Sequence, residues 1–213
     1  MSGLDTPPIL VGIAGGSGSG KTTVVARLVD RLGAGTAIVI AHDRYYRDQS
    51  ALPADARASL NFDHPDALDT DLLVSHLQSL RAGLPVDVPV YDFSRHVRET
   101  HVERVDPRPV ILVEGVLVLA ESRLRDACDL RVFVETDDET RYSRRLKRDV
   151  ADRGRTVESV RSQYAATVLP MHVHFVEPSR RYADLIVTEG GFNDEGIARA
   201  VEEIRRLTRA RVQ

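Results

Sequence analysis

An α/β fold, a parallel sheet covered by helices on both faces, is predicted from three observations. Short β-branched or apolar runs (Ile9 to Ile13, Thr36 to Ala41, Pro109 to Val113, Leu130 to Val134, Leu185 to Val187) alternate with stretches of helical periodicity. The first run feeds a glycine-rich turn, Gly15-Gly16-Ser17-Gly18-Ser19-Gly20-Lys21-Thr22-Thr23, after which Val24, Val25, Leu28 and Leu32 recur at helical spacing. The 213 residues are 42% hydrophobic, enough for one full core with a small insertion. A single domain over 1–213 is therefore expected.

Composition removes several classes of function. Net charge is −3, from 29 basic and 32 acidic residues, so no general attraction to nucleic acid or anionic membrane is implied. The single cysteine, Cys128, leaves no internal disulfide and fits a reducing compartment. Met1 to Pro8 lacks the basic and apolar regions of a leader, and the most apolar run, Val110 to Ala120, is too short to span a bilayer and carries Glu114. A cytoplasmic protein that binds neither nucleic acid nor membrane is the expectation.

The glycine-rich turn fits the pattern G-x-x-x-x-G-K-[ST], with Gly15 first and Thr22 last. Its glycines free the backbone to turn N–H groups toward one point, where the helix N-terminus adds partial positive charge. Residues Gly15, Gly16, Ser17, Gly18, Ser19, Gly20, Lys21, Thr22 and Thr23 are thus expected to cradle the phosphates of ATP or GTP. Lys21 would reach the β- and γ-phosphates and the Thr22 hydroxyl would hold Mg²⁺. The predicted architecture is accordingly the three-layer, P-loop NTPase-type fold.

Along the chain, the second strand delivers His42-Asp43-Arg44-Tyr45-Tyr46 at its carboxyl end, the edge where open α/β sheets bind ligands. Residues 47–66 are polar and irregular. A helix begins near Asp69-Thr70, with Leu72, Leu73, Leu77 and Leu80 on one face and Gly83 as its stop. Residues 85–105 break the strand–helix rhythm: Val86, Val88 and Val90, then Val97, Thr100, Val102 and Val105, predict a β-hairpin insertion around Tyr91-Asp92-Phe93-Ser94-Arg95-His96. The run before Glu114-Gly115 has the hydrophobic-plus-acid pattern of a Walker B strand.

Two helices joined by Arg153-Gly154-Arg155 follow the fourth of the five apolar runs. Thr136-Asp137-Asp138-Glu139 fits a capping box with Thr136 as N-cap. Tyr142, Leu146 and Val150 predict a buried stripe, with Arg141, Arg145 and Arg148 on a separate one. Residues 141–155 hold seven basic side chains against two acidic ones. Such a run is ordinarily a solvated face, but beside a phosphate loop it predicts a helical lid over about 141–156. The Arg-rich stretch Glu195 to Arg211 is most simply a solvated face, and His64, His172 and His174 have no metal-site spacing.

Phosphoryl transfer needs in-line positioning, charge neutralisation and an acceptor for the hydroxyl proton. Lys21 supplies positive charge to the transferring phosphate. Asp43 is the candidate general base and could order the metal's waters; Glu114 is a second acid near the metal or an ion-pair partner of Lys21. Arg148, Arg153 and Arg155 are candidate catalytic residues whose planar forks would close over phosphates.

The segments Gly15 to Thr23, Asp43-Arg44-Tyr45-Tyr46, Asn61 to Asp69, Tyr91-Asp92-Phe93 through His96, Glu114-Gly115, Arg144 to Asp149, Arg153-Gly154-Arg155, Gln163-Tyr164 and Phe175 through Asp184 together resemble the uridine kinases (uridine–cytidine kinases). The resemblance spans about residues 10–190 in the family's order. It departs at Leu169, where many bacterial relatives have Arg, and at Ala41-His42, where a polar residue is usual before the Asp. It implies transfer of the γ-phosphate of ATP or GTP, with Mg²⁺, to the 5′-hydroxyl of uridine or cytidine, giving UMP or CMP. It also implies a homotetramer. Asp63 and Arg145 would hold the ribose 2′,3′-diol. Tyr46, Phe62, Tyr91 and Phe93 would line the nucleoside pocket, with the Tyr91 hydroxyl and His96 aimed at the base's 4-substituent and Arg155 and Gln163 at its other edges.

Two other classes compete: a small-molecule P-loop kinase acting on a sugar phosphate or pantothenate, and a nucleotide switch. The switch lacks a guanine-reading Asn/Thr-Lys-x-Asp motif, since Leu146-Lys147-Arg148-Asp149 is not one. The other kinases would not be expected to combine Phe62-Asp63 with Tyr91-x-Phe93-x-x-His96.

Overall fold

The computed structural model describes residues 6–212; Met1–Asp5 and Gln213 lie outside the described residues, so the polar N-terminal segment is seen only from Thr6. In chain order these residues form β1 (Ile9–Ala14), α1 (Lys21–Leu32), β2 (Ala37–Ala41), a 3₁₀ turn (His42–Tyr45), α2 (Ala54–Ala58), a second 3₁₀ turn (Pro65–Ala67), α3 (Thr70–Arg81), β3 (Val86–Asp92), β4 (Val97–Val105), β5 (Val110–Glu114), α4 (Ser122–Ala127), β6 (Leu130–Glu135) and α5 (Asp138–Ala151). A nearly continuous helical run follows: α6 (Val157–Gln163), a π turn (Tyr164–Val168), α7 (Leu169–Met171), a second π turn (His172–Val176) and α8 (Glu177–Ser179). After β7 (Leu185–Thr188) and a 3₁₀ turn (Gly190–Phe192), α9 (Asp194–Val212) ends the described chain.

The five apolar runs build one parallel sheet of order β2-β5-β1-β6-β7. Burial on both faces explains why the inner strands β5, β1 and β6 are nearly continuous apolar runs, whereas the edge strands β2 and β7 leave Val39 and Ile186 exposed. Period-two alternation divides the inner strands between two cores. Leu10 and Ala14 point with Ile40, Ile111 and Val113 toward α3 and α4, where Leu73, Leu77, Leu80 and Leu124 meet them. Ile9, Val11 and Ile13 point with Leu112, Val132 and Val134 toward α1 and α9. The C-terminal helix therefore is not a solvated face throughout: Ile197, Ala200, Val201 and Ile204 are buried, and its arginines occupy the outer side. Arg211 reaches the opposite edge, where Asp129 accepts from it at 2.5 Å and from Leu10 N at 2.8 Å. Among the described residues no helix is long and apolar enough to cross a membrane.

The insertion is an antiparallel two-stranded sheet, as the alternating valines predict. Its register shifts between Pro89 and Tyr91, a bulge beside a residue that has no N–H for the ladder. At the tip, Asp92 Oδ1 accepts from Ser94 N, Ser94 Oγ and Arg95 N (2.8, 2.6 and 3.0 Å), and His96 closes the turn at φ 55°. The hairpin is fastened to the main sheet by arginines. Arg98 donates to the carbonyls of Tyr45 and Tyr46 (3.3 and 2.9 Å), and Arg44 donates to Pro89 O at 2.8 Å.

Gly12 lies in β1 where α4's exit crosses the sheet. A Cβ there would sit 2.6 Å from Cys128 Sγ and 3.2 Å from Val118 Cγ1. Gly12→Ala should lower stability by about 1–3 kcal/mol in urea unfolding, as overpacking does. Cys128→Ala in the same chain should restore part of that loss; an equal cost in both backgrounds would show that the thiol does not set the limit.

Candidate functional site

The phosphate cradle is the turn between β1 and α1. Gly18 and Gly20 hold φ of 80° and 92°, values L-residues rarely adopt, and a Cβ on Gly18 would collide with the carbonyl of Arg141 in α5. Only glycine lets the loop lie this close to the helix. Lys21 Nζ donates to the carbonyls of Gly15 and Gly16, 3.0 Å each. Burial lowers its pKa to about 8, against the opposing pull of Glu114 and Asp43. The Thr22 hydroxyl donates to Glu114 Oε1 at 3.2 Å, and Ser19 Oγ is buried without a partner among the described residues.

Burial also raises the pKa of Glu114, with Lys21 opposing it. Asp43, in the 3₁₀ turn after β2, is open to solvent within the cleft, yet the surrounding walls strip enough hydration to raise its pKa; Lys21, Arg153 and Arg148 oppose the shift. A hydroxyl and two carboxylates beside a buried lysine make a hard-oxygen donor set that suits Mg²⁺, which is usually held by one or two carboxylates together with substrate phosphates. The described residues contain no group of three or more His, Cys, Asp or Glu that would form a cage by themselves.

The same cleft, about 590 Å³, continues into an aromatic alcove. Tyr46 meets Phe62 and Phe93 edge-on (centroids 5.4 and 6.4 Å) and lies 5.1 Å from Tyr91. Phe62 stacks on His96 at 4.5 Å and 16°. Burial lowers the pKa of His96, helped by Arg155 and Arg153, so its imidazole is neutral near pH 7. The Tyr91 hydroxyl is buried and has no partner among the described residues, with a pKa pushed up to about 12, chiefly by burial. Asp63 accepts from the Thr167 hydroxyl at 3.3 Å; burial raises its pKa and Arg145 opposes the rise. Thr167 sits in the first π turn, a helix irregularity often found at functional sites.

On α5 the buried stripe is Arg141, Arg145 and Asp149, while Val150 is exposed. This reverses the apolar expectation for Tyr142, Leu146 and Val150, because the inward side of α5 faces the phosphate turn and cleft rather than the apolar core. The N-cap is Asp137, which accepts from Thr140 N at 2.8 Å; Thr136 instead donates to Ser19 O at 3.0 Å. Arg145 donates to Ser17 Oγ at 2.9 Å and to Gln163 Oε1 at 3.0 Å, and Arg155 also donates to Gln163 Oε1. Arg145 and Gln163 therefore join the lid to the phosphate turn in this structure. Arg153 reaches the hairpin tip, its guanidinium 5.5 Å from the Phe93 ring centre. The structure brings Lys21, Thr22, Asp43, Glu114, Phe62, Asp63, Tyr91, Phe93, His96, Arg145, Arg148, Arg153, Arg155 and Gln163 to one cleft.

A family model described as "Phosphoribulokinase / Uridine kinase family" matches residues 10–195. Curated uridine kinases from Chloroflexus aurantiacus and Geobacillus kaustophilus are 53% and 50% identical to this chain, over 97% and 93% of it and 99% and 94% of their own lengths. The chain belongs to the phosphoribulokinase/uridine kinase family. In fold, a D-glycerate 3-kinase from Cryptococcus neoformans aligns with a TM-score of 0.60 at 18% identity, over 89% of this chain and 88% of its own.

In this family member His42 lines the cleft, and Thr167 and Asp149 stand behind it against Asp63 and the lid arginines; sequence pattern assigns none of the three a role. Asp149 lies one helical turn from Arg145, which sequence displays, but its burial under the lid loop depends on how residues 152–155 fold back. His42 is buried, its Nε2 3.4 Å from Thr70 Oγ1 and its Nδ1 unpartnered among the described residues, and burial lowers its pKa to about 4. The unfolded chain binds a proton here below about pH 6.5 and the folded chain does not until about pH 4. Stability should therefore fall as pH drops through that window, by up to about 1.4 kcal/mol per pH unit from this group. His42→Gln should flatten the dependence in urea unfolding between about pH 7 and 4.5. An unchanged slope would mean that His42 is protonated in the folded state.

Proposed function

We propose that this chain is a uridine kinase that transfers the γ-phosphoryl group of ATP or GTP to the 5′-hydroxyl of uridine or cytidine, giving UMP or CMP. One observation carries the reading: a single cleft is lined by the phosphate turn, by the aromatic alcove and by Asp43, whose charge acts on both Lys21 and Tyr46. The identity to proteins named uridine kinase over nearly the whole chain supports the acceptor class. The proposal includes one kinase domain over 1–213 and assembly as a homotetramer.

In this reading the amides of Gly15 to Thr23 and the ammonium of Lys21 bind the donor phosphates. Mg²⁺, held through Thr22 with Glu114 and Asp43 near its waters, would neutralise charge on the transferred group. Asp43 takes the proton of the 5′-hydroxyl; burial raises its pKa toward the operating pH, as suits a general base. Asp63 accepts from the ribose hydroxyls, with Arg145 donating beside it. Arg148, Arg153 and Arg155 approach phosphate oxygens and exclude water.

Uracil and cytosine differ at the 4-position, an acceptor in one and a donor in the other. A neutral imidazole has one nitrogen of each kind, and the buried Tyr91 hydroxyl can donate or accept, so the pair supports both bases. A kinase acting on a different alcohol shares the sheet and the phosphate turn, but has no use for this alcove.

Asp43→Asn should lower kcat about 10²-fold or more while changing the uridine KM only a few-fold, the signature of a lost general base. In initial-rate assays the wild type should turn over uridine and cytidine comparably, and adenosine and deoxythymidine poorly. Loss of uridine binding with kcat preserved in Asp43→Asn, or equal use of adenosine and uridine by the wild type, would refute the assignment.

A further inference from the structure

Asp149 is the acidic residue of α5's buried face, fully enclosed and outside the cleft lining, whereas Arg145, Arg148, Arg153 and Arg155 all line the cleft. Four guanidinium groups converge on this one carboxylate. Its Oδ1 accepts from Arg148 Nε and Nη2 at 2.9 and 2.8 Å, with Arg153 Nη1 at 3.5 Å. Its Oδ2 has Arg145 Nε at 3.4 Å and Arg155 Nη1 at 3.9 Å, and makes no hydrogen bond among the described residues. The backbone closes the arrangement, since Arg155 N donates to the Asp149 carbonyl at 3.1 Å and folds the Arg153-Gly154-Arg155 segment back over the helix end.

Charge and geometry point the same way. One carboxylate cannot balance four positive charges, and the excess faces the cleft that also holds Lys21, Asp43 and Asp63. Such guanidinium groups would repel one another and spread without a central anion. Yet only Arg148 makes aligned hydrogen bonds to Asp149; Arg153 is attracted to it by charge at longer range, while Arg145 and Arg155 are also held by the neutral partners Ser17, Gln163 and Ser159, which a second anion can replace. A fixed anion behind the arginines and a polyphosphate in front of them would place the same forks between two negative centres.

We propose that Asp149 is the positioning residue of the lid, an internal counter-anion that holds four arginines in convergence so that they meet the donor's phosphates without reorganising. This rests on the kinase reading above, in which those arginines act on phosphate. Asp149 touches no reacting atom; it acts through the guanidinium groups.

The test compares the full-length wild type with Asp149→Asn and Asp149→Glu in two measurements: binding of inorganic pyrophosphate by calorimetry, and initial rates with ATP and uridine. Asp149→Asn removes the anion that competes with phosphate, so pyrophosphate should bind as tightly as to wild type or tighter. Turnover should fall at least about 10-fold in that variant because the forks are no longer aligned. Asp149→Glu keeps the charge and should return turnover to within about 3-fold of wild type. A merely structural role would weaken both readouts together. Pyrophosphate binding about 10-fold weaker in Asp149→Asn, turnover within about 2-fold of wild type, or a Glu variant no better than Asn would overturn the proposal.

Should Asp149→Asn fail to fold, Arg148→Gln/Asp149→Asn is compared with Arg148→Gln alone. If the double variant turns over at least about 5-fold more slowly than the single one and keeps its pyrophosphate affinity, the role is supported. Equal rates in the two overturn it. A wild type that phosphorylates no uridine would refute the kinase reading instead, and the pyrophosphate arm would then decide the role of Asp149 by itself.

Discussion

The cleft depends on burying charge beside opposing charge. Lys21 is enclosed by its own turn and loses proton affinity to desolvation, while Glu114 and Asp43 pull the other way. Those two carboxylates lose acidity for the same reason and recover part of it from Lys21. Arg141, Arg145 and Asp149 form the buried face of a helix that by ordinary rules should bury aliphatic side chains. A desolvated charge is costly unless paired, so each of these groups constrains the placement of the next. The result is a site whose fields are already oriented before a ligand arrives, the condition under which electrostatic stabilisation costs no reorganisation at the moment of reaction.

The glycine turn makes that arrangement reachable. Because Gly18 lacks a Cβ, α5 can approach the turn until Arg145 bonds Ser17, and through Gln163 the same arginine is tied to Arg155 of the lid loop. On the other wall, Arg98 of the hairpin holds the carbonyls of Tyr45 and Tyr46, so the turn carrying Asp43 is fastened to the element carrying Tyr91 and His96. Phosphate turn, base and alcove are thus mechanically connected. A displacement at the hairpin would be felt at Asp43, and one at α6 would be felt at Ser17.

Much of this architecture is legible in the residues. The five apolar runs are the five strands of the parallel sheet and the alternating valines are the hairpin, because burial on two faces and on one face leave different patterns. The glycine turn carries its own geometry. Helix α5 departs from its pattern, since hydrophobic periodicity assumes an apolar interior and this helix faces a charged cleft. The capping-box spacing points to Thr136, yet Asp137 is equally suited to cap and Thr136 is drawn to the Ser19 carbonyl. The convergence on Asp149 is only partly visible in the sequence. Arg145 and Arg153 stand four residues to either side of it and Arg148 beside it, but the approach of Arg155 requires the chain to fold back across Gly154 at φ 62°.

If one cleft holds donor and acceptor together across Asp43, a single molecule carrying both should occupy both ends at once. The direct measurement is calorimetric titration with adenosine and uridine joined through their 5′-oxygens by a polyphosphate bridge. The account predicts one site per chain and an affinity at least about 10²-fold above that of ATP or uridine alone, because the second half binds at high effective concentration. An affinity equal to that of ATP, with uridine still able to bind the occupied protein, would contradict it.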